Sequence, residues 1–184
     1  MAGSSATGAA ELMTMWSMAV PDWERRLMAG TSLVPANLPL NRSEADRALR
    51  VLTKLRLYDV PGTPTMGEAA GPWLFPIVEA LFGSYDPETA RRAIQEVFLL
   101  ISKKNAKTTY GALIMLTAAI VNRRPAAEGT LIAPTKDIAD RAFKAAKGAI
   151  RLDPVLDEVF HVQDNIKRIT NRRDDATLEV KSSD

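Results

Sequence analysis

The stretch Val97-Phe98-Leu99-Leu100-Ile101-Ser102-Lys103-Lys104-Asn105-Ala106-Lys107-Thr108-Thr109-Tyr110 decides the fold. Its first five residues are apolar without a break, the pattern of a strand buried on both faces. The run halts at a polar loop with three lysines in five residues, and from Tyr110 to Val121 the chain is again nearly all apolar. Strand, tight basic loop and buried helix, in that order, put cations and backbone N–H groups where the phosphates of a nucleoside triphosphate can be held. In this reading Lys107 reaches the β- and γ-phosphates and Thr108 ligates Mg²⁺, as the Lys and Ser/Thr of a phosphate-binding loop (P-loop, or Walker A motif) do. Such loops usually place glycine directly before the lysine and again five residues earlier. Here those places hold Ala106 and Ile101. If residue 106 takes a positive φ, its Cβ costs about 1 kcal/mol. The competing reading makes Lys103, Lys104 and Lys107 a solvated turn; three cations directly behind a buried strand favour phosphate.

Downstream, the pattern continues in alternation. Thr130 to Ala133 reads as a second short strand, and about Thr135 to Ile150 as a helix. Strand, helix, strand, helix implies a parallel sheet with crossover helices, hence an α/β fold. Pro154 to Val159 reads as one helical turn. Ile166 to Thr170 and Thr177 to Lys181 read as a hairpin across the polar turn Asn171 to Asp175.

Upstream, the chain is helical in character. Residues 1 to 8 are small and polar and predict a frayed end. Ala9 to Ala19 and Asp22 to Ala29 carry apolar residues at helical spacing, with Pro21 and Gly30 as punctuation. Asn41 or Ser43 is placed to cap a helix whose apolar face is Ala45, Leu49, Leu52 and Leu55. Residues 1 to 55 therefore read as a helical appendage and 56 to 184 as the α/β domain. Within the latter, Asp59 to Gly71 is an irregular Gly/Pro-rich loop, and Trp73 to Phe82 fits a helix ending at Gly83.

Composition narrows the chemistry. The 184 residues are 46% hydrophobic and 25% charged, with a net charge of +2, as expected of a chain that folds. With no cysteine and a single histidine, His161, thiolate and histidine metal sites and a cysteine nucleophile are excluded. His161 reads as an ordinary surface or strand residue. Tyr110 to Val121 is too short to span a bilayer, and the N-terminus has no leader pattern, so no membrane is expected and the chain is placed in a cytoplasm. Residues 101 to 184 carry 15 basic and 11 acidic side chains against 9 and 11 before them, so the second half is the one expected to meet phosphate.

Phe98 to Thr109 resembles the degenerate P-loop of the large terminase subunit of tailed bacteriophages, the motor that packages viral DNA into a prohead. Pro21-Asp22-Trp23-Glu24-Arg25-Arg26, Gly71-Pro72-Trp73, Phe82 to Thr89, Ile132-Ala133-Pro134-Thr135 and His161-Val162-Gln163-Asp164 are similar to its N-terminal ATPase region. The resemblance implies an additional-strand, RecA-like P-loop ATPase that uses ATP and Mg²⁺ to move double-stranded DNA. It makes Lys107 the catalytic, phosphate-binding lysine and Thr108 the Mg²⁺ ligand. Ser102, Lys104, Asn105 and Ala106 become loop backbone, Thr109 closes the nucleotide-binding stretch, and Lys103 falls where the family has a basic residue suggested to contact the nucleotide. Ile132 to Thr135 falls where such motors contact DNA or couple to it. Implied partners are a small terminase subunit, the portal and further copies of the chain in the full-length motor, within the cytoplasm of a bacterial host.

Such a motor also needs an acidic strand end, a glutamate to polarise water and a coupling motif. No apolar strand ending in Asp-Glu occurs before Asp184, and the family's nuclease domain has no counterpart here. The chain is therefore expected to be an N-terminal part of such a subunit, with a gap in its sheet and little or no ATP turnover alone.

Trp16, Trp23 and Trp73 read as packing residues rather than a stacking platform, since only 6% of residues are aromatic. Trp73 precedes the loop, where related ATPases hold adenine. Lys167, Arg168, Arg172 and Arg173 are candidates for DNA phosphates, though a solvated turn explains them better. A second function class is a non-enzymatic one, in which residues 1 to 55 dock a partner subunit and the basic half holds DNA weakly. A helicase or small-molecule kinase ranks third, because the flanking segments resemble terminases better.

Overall fold

Among the described residues, helices of 4 to 11 residues precede the loop at Ser102, and helices of 15, 16 and 6 residues are interspersed with strands after it. The computed structural model describes residues 19–35, 38–86, 89 and 91–183. The expected frayed end, the body of the helix expected from Ala9, and Trp16 lie outside them. The elements in chain order are α1 (Trp23–Met28), α2 (Arg42–Leu52), α3 (Met66–Ala69), α4 (Leu74–Gly83), β1 (Tyr85–Asp86) and β2 (Arg91–Arg92). There follow α5 (Lys107–Val121), β3 (Glu128–Ala133), α6 (Lys136–Arg151), α7 (Pro154–Val159), β4 (Phe160–Gln163), β5 (Arg168–Asn171) and β6 (Thr177–Ser182).

The chain divides into two units. One comprises the residues up to Asp46 with Gly71–Val97, the other Arg47–Ala70 with Phe98–Asp184. In the first, the Asn41 side chain accepts from the Glu44 N–H at 3.3 Å and so starts α2, satisfying a donor that the helix itself cannot. Gly83 ends α4 where the chain comes close. A Cβ there would stand 2.6 Å from Leu40 and 2.7 Å from Ala45, and only without one can the Asn41 N–H donate to the Gly83 carbonyl at 2.7 Å. Arg92 on β2 lies 5.5 Å from the Phe82 ring centre and donates to the Leu81 carbonyl at 2.8 Å, fastening the β1–β2 ribbon to the end of α4.

The second unit holds the main sheet, of order β3-β6-β5-β4. β3 runs parallel to β6, with Glu128 opposite Thr177 and Ala133 opposite Ser182. The expected hairpin is present as β5 and β6, antiparallel, with Ile169 opposite Leu178. His161 lies on β4, which pairs with β5 and which the sequence reading passed over. On β5 and β6, Arg168 and Lys181 both pair with Glu179 and hold its carboxyl below the usual range, Lys181 contributing most.

Against β3 and β6 pack α5 and α6. Ala139, Ala142, Phe143, Ala146, Ala149 and Ile150 of α6 recur at three and four and, with Ala145 beside them, make its buried stripe. Thr135 caps the helix, its hydroxyl accepting from the Ile138 N–H at 3.4 Å. The mostly apolar α5 buries Ala112, Leu113, Leu116 and Val121. Its buried Thr117 hydroxyl donates to the Leu113 carbonyl at 2.8 Å, so no polar atom is stranded there. The segment after α2 packs on α6 through Tyr58, whose ring occupies the space a side chain at Gly148 would need.

One expectation is corrected. Val97 to Ile101 forms no strand: the chain is irregular from Ile94 to Ser102, and Phe98 and Leu100 are 89% and 83% exposed. An apolar run becomes a buried strand only when a neighbouring ladder takes up its N–H and C=O groups. Among the described residues none pairs with this run. The parallel pair of the sheet is instead β3 with β6, the last strand in the sequence.

Candidate functional site

The loop Ser102 to Ala106 turns tightly between the irregular apolar run and α5. Two of its residues adopt left-handed backbone, Lys104 at φ 69° and Ala106 at φ 50°. Ala106 stands at the N-cap of α5 with ψ 24°, and the first helical bond runs from the Tyr110 N–H to its carbonyl at 2.9 Å. An alanine methyl cannot cap. The first-turn N–H groups therefore receive no hydrogen bond acceptor from the cap residue, and helix N-termini in that condition attract anions.

Ala106 thus occupies a conformation that suits glycine. Ala106→Gly is expected to stabilise the fold by about 0.5–1 kcal/mol, because relief of the left-handed Cβ exceeds the entropy glycine adds to the unfolded chain. That corresponds to a rise of roughly 1–4 °C in the unfolding midpoint for a chain of this size, measured by circular dichroism. An unchanged or lowered midpoint would show that residue 106 is not held left-handed.

Lys107, Thr108 and Thr109 form the first turn of α5. The Lys107 side chain folds back over the loop, its Nζ donating to the Ile101 carbonyl and to the Ser102 carbonyl, each at 2.7 Å. An ammonium has three donors, so this seat occupies two and leaves one. On the same side, the Asn105 carboxamide donates to the Ser102 hydroxyl at 2.6 Å and, more weakly, to its carbonyl at 3.3 Å. Lys103 and Lys104 lie exposed at the turn, while Thr108 and Thr109 are half-buried. All eight residues expected at the site, Ser102 through Thr109, thus lie in one short loop and helix start. The sequence reading missed the part played by the Asn105 side chain. Its type marked it as a turn residue, but its contact back to Ser102 depends on how the loop turns.

The other candidates disperse. Lys167 pairs with Asp140 at 2.5 Å and Arg168 with Glu179, so both charges are largely spent within the fold. Arg172 and Arg173 remain exposed on the turn between β5 and β6. Trp23 and Trp73 are only partly covered, less than their reading as packing residues expects. No group of three or more His, Asp or Glu side chains among the described residues is arranged to hold a metal ion. No helix of the described residues is long and apolar enough to cross a membrane.

A sheet with one parallel pair, helices packed against it and a basic loop heading one of them make an α/β domain. The family model for the ATPase domain of the terminase large subunit matches residues 72–183. The chain belongs to that family. Its fold is similar to that in the crystal structure of the HK97 bacteriophage large terminase, with a TM-score of 0.62 and 20% identity over 76% of this chain. The match covers 27% of that terminase chain, so this chain spans about a quarter of it. No curated protein matches the sequence.

Proposed function

We propose that this chain is the nucleotide-binding part of a viral DNA-packaging motor, and that it binds ATP with Mg²⁺ at Ser102 to Thr109. The observation that carries the reading is the seat of Lys107. A cation fixed by two carbonyls at the open N-terminus of a buried helix has its charge placed before any ligand arrives. Pre-placed charge binds phosphate without the cost of gathering it.

In this reading the first-turn N–H groups of α5 and the remaining donor of Lys107 take the phosphate oxygens. The Thr108 hydroxyl, half-buried one residue on, is the group that would hold Mg²⁺, whose charge offsets that of the β- and γ-phosphates. Hard oxygen donors with few protein ligands suit that ion, so the residues present fit it. Hydrolysis further requires a carboxylate that orients water. We assign no residue of this chain to that role and expect slow turnover, or none, by the chain alone. Double-stranded DNA, a small terminase subunit, a portal and a ring of copies are the partners proposed for the full-length motor.

Calorimetric titration of Mg²⁺-ATP into the chain tests the reading. Saturating heat at one site per chain is expected, with binding weakened when Mg²⁺ is withdrawn. No heat from a chain whose circular dichroism shows it folded would leave the alternative, a docking or DNA-contacting piece without nucleotide.

A further inference from the structure

Ser102 is the residue on which the loop converges. Its carbonyl accepts from Lys107 Nζ at 2.7 Å and from Asn105 Nδ2 at 3.3 Å, and its hydroxyl accepts from the same Asn105 nitrogen at 2.6 Å. One amide nitrogen with two hydrogens thus grips both ends of Ser102. A lysine side chain carries about 2 kcal/mol of rotamer entropy, so the place where its ammonium rests depends on acceptors that are themselves fixed. Both acceptors under Lys107, the Ile101 and Ser102 carbonyls, lie in irregular chain. The Ser102 carbonyl is the one braced by a side chain.

We propose that Asn105 is a positioning residue for the phosphate site: by bracing Ser102 it sets where the Lys107 ammonium stands, without itself touching the nucleotide. The inference rests on the nucleotide reading above and assigns a role to a side chain whose backbone alone had been given one. It also accounts for the residue type. Aspartate could still accept from the Ser102 hydroxyl, but it has no hydrogen to give the carbonyl and would place a negative charge beside the phosphates.

The test uses the full chain with Asn105→Ala, Asn105→Asp and Lys107→Ala. The first readout is the ¹H–¹⁵N resonance of the Lys107 ammonium in nucleotide-free protein at low temperature, assigned by its loss in Lys107→Ala. Seated on two carbonyls, that ammonium exchanges slowly with water and gives a distinct signal, which both Asn105 variants are expected to displace or abolish. The second is Mg²⁺-ATP affinity, expected to fall about three- to tenfold in Asn105→Ala, the worth of one hydrogen bond, and further in Asn105→Asp. A carboxamide that only shaped the turn would leave the ammonium signal where it is, and that result overturns the proposal. So does a displaced signal with unchanged affinity. Failure of the nucleotide reading shows itself separately, as a wild-type chain that binds no Mg²⁺-ATP while the ammonium signal still reports whether Asn105 positions Lys107.

Discussion

Lys107→Ala is expected to remove Mg²⁺-ATP binding at concentrations that saturate the unaltered chain, while leaving the fold in place. The substitution deletes a positive charge and two hydrogen bonds of 2.7 Å, to the Ile101 and Ser102 carbonyls. Hydrogen bonds to charged groups are worth about 1.5–3 kcal/mol, so losing one to phosphate weakens affinity by roughly ten- to a hundredfold. Disordering of the loop adds to that. The fold should hardly notice, because Lys107 is exposed and the core of α5 begins at Tyr110. Lys107→Arg separates charge from geometry. A planar guanidinium keeps the charge yet is a poor replacement for a compact ammonium seated on adjacent carbonyls, so its affinity should fall nearly as far. Full recovery with arginine would mean that the loop attracts nucleotide by its field alone, and the seat described above would lose its role.

Gly148→Ala is expected to destabilise the second unit, against the ordinary preference of helices for alanine. Gly148 lies inside α6, where alanine is normally favoured by about 1 kcal/mol. A Cβ there would stand 2.3 Å from Cγ and 2.5 Å from Cβ of Tyr58, too close to the backbone of the 53–65 segment to be relieved by turning the ring. The segment must move, and it is tied down: Leu57 donates to the Pro64 carbonyl at 2.9 Å, and Met66 to the Leu55 carbonyl at 2.8 Å. Overpacking of this kind costs about 1–3 kcal/mol, and each kcal/mol lowers the midpoint of a chain this size by roughly 2–4 °C. The decisive comparison is made in Tyr58→Gly. There the three nearest atoms are gone, helix preference outweighs what is left, and Gly148→Ala should stabilise. A destabilisation of equal size in both backgrounds would sink the account.

These two sites differ in how far the sequence announced them. The loop and helix start around Lys107 were legible because the pattern is local: cation, hydroxyl and helix start follow one another in the chain. The positive φ of Ala106, posed beforehand as a condition, is met at 50°. The helix α6 was equally plain, since its buried stripe is a pattern of period 3.6 and its capping threonine precedes it. Gly148 gave no signal, because its partner Tyr58 lies ninety residues earlier and only tertiary packing brings them together. The run Val97 to Ile101 failed for a related reason. Its composition says that it can be a strand, but strand formation depends on a partner elsewhere, and burial is not a property of the run itself. The strand β4 was missed because Phe160-His161-Val162-Gln163 follows α7 without a turn residue between them. Asn105 was legible as a loop residue and not as a brace, since bracing depends on where Ser102 turns.

The order of the sheet also bears on how the chain comes to be folded at the ribosome. Among the described residues β3 finds its ladder only with β6, Glu128 pairing with Thr177 across α6, α7, β4 and β5. While those intervening residues are being synthesised, β3 has no mate, whereas α5 and α6 can already close upon each other through contacts nearer in sequence. A helical pair formed early, with its sheet completed only once Ser182 is in place, leaves β3 without its ladder until the last strand joins it.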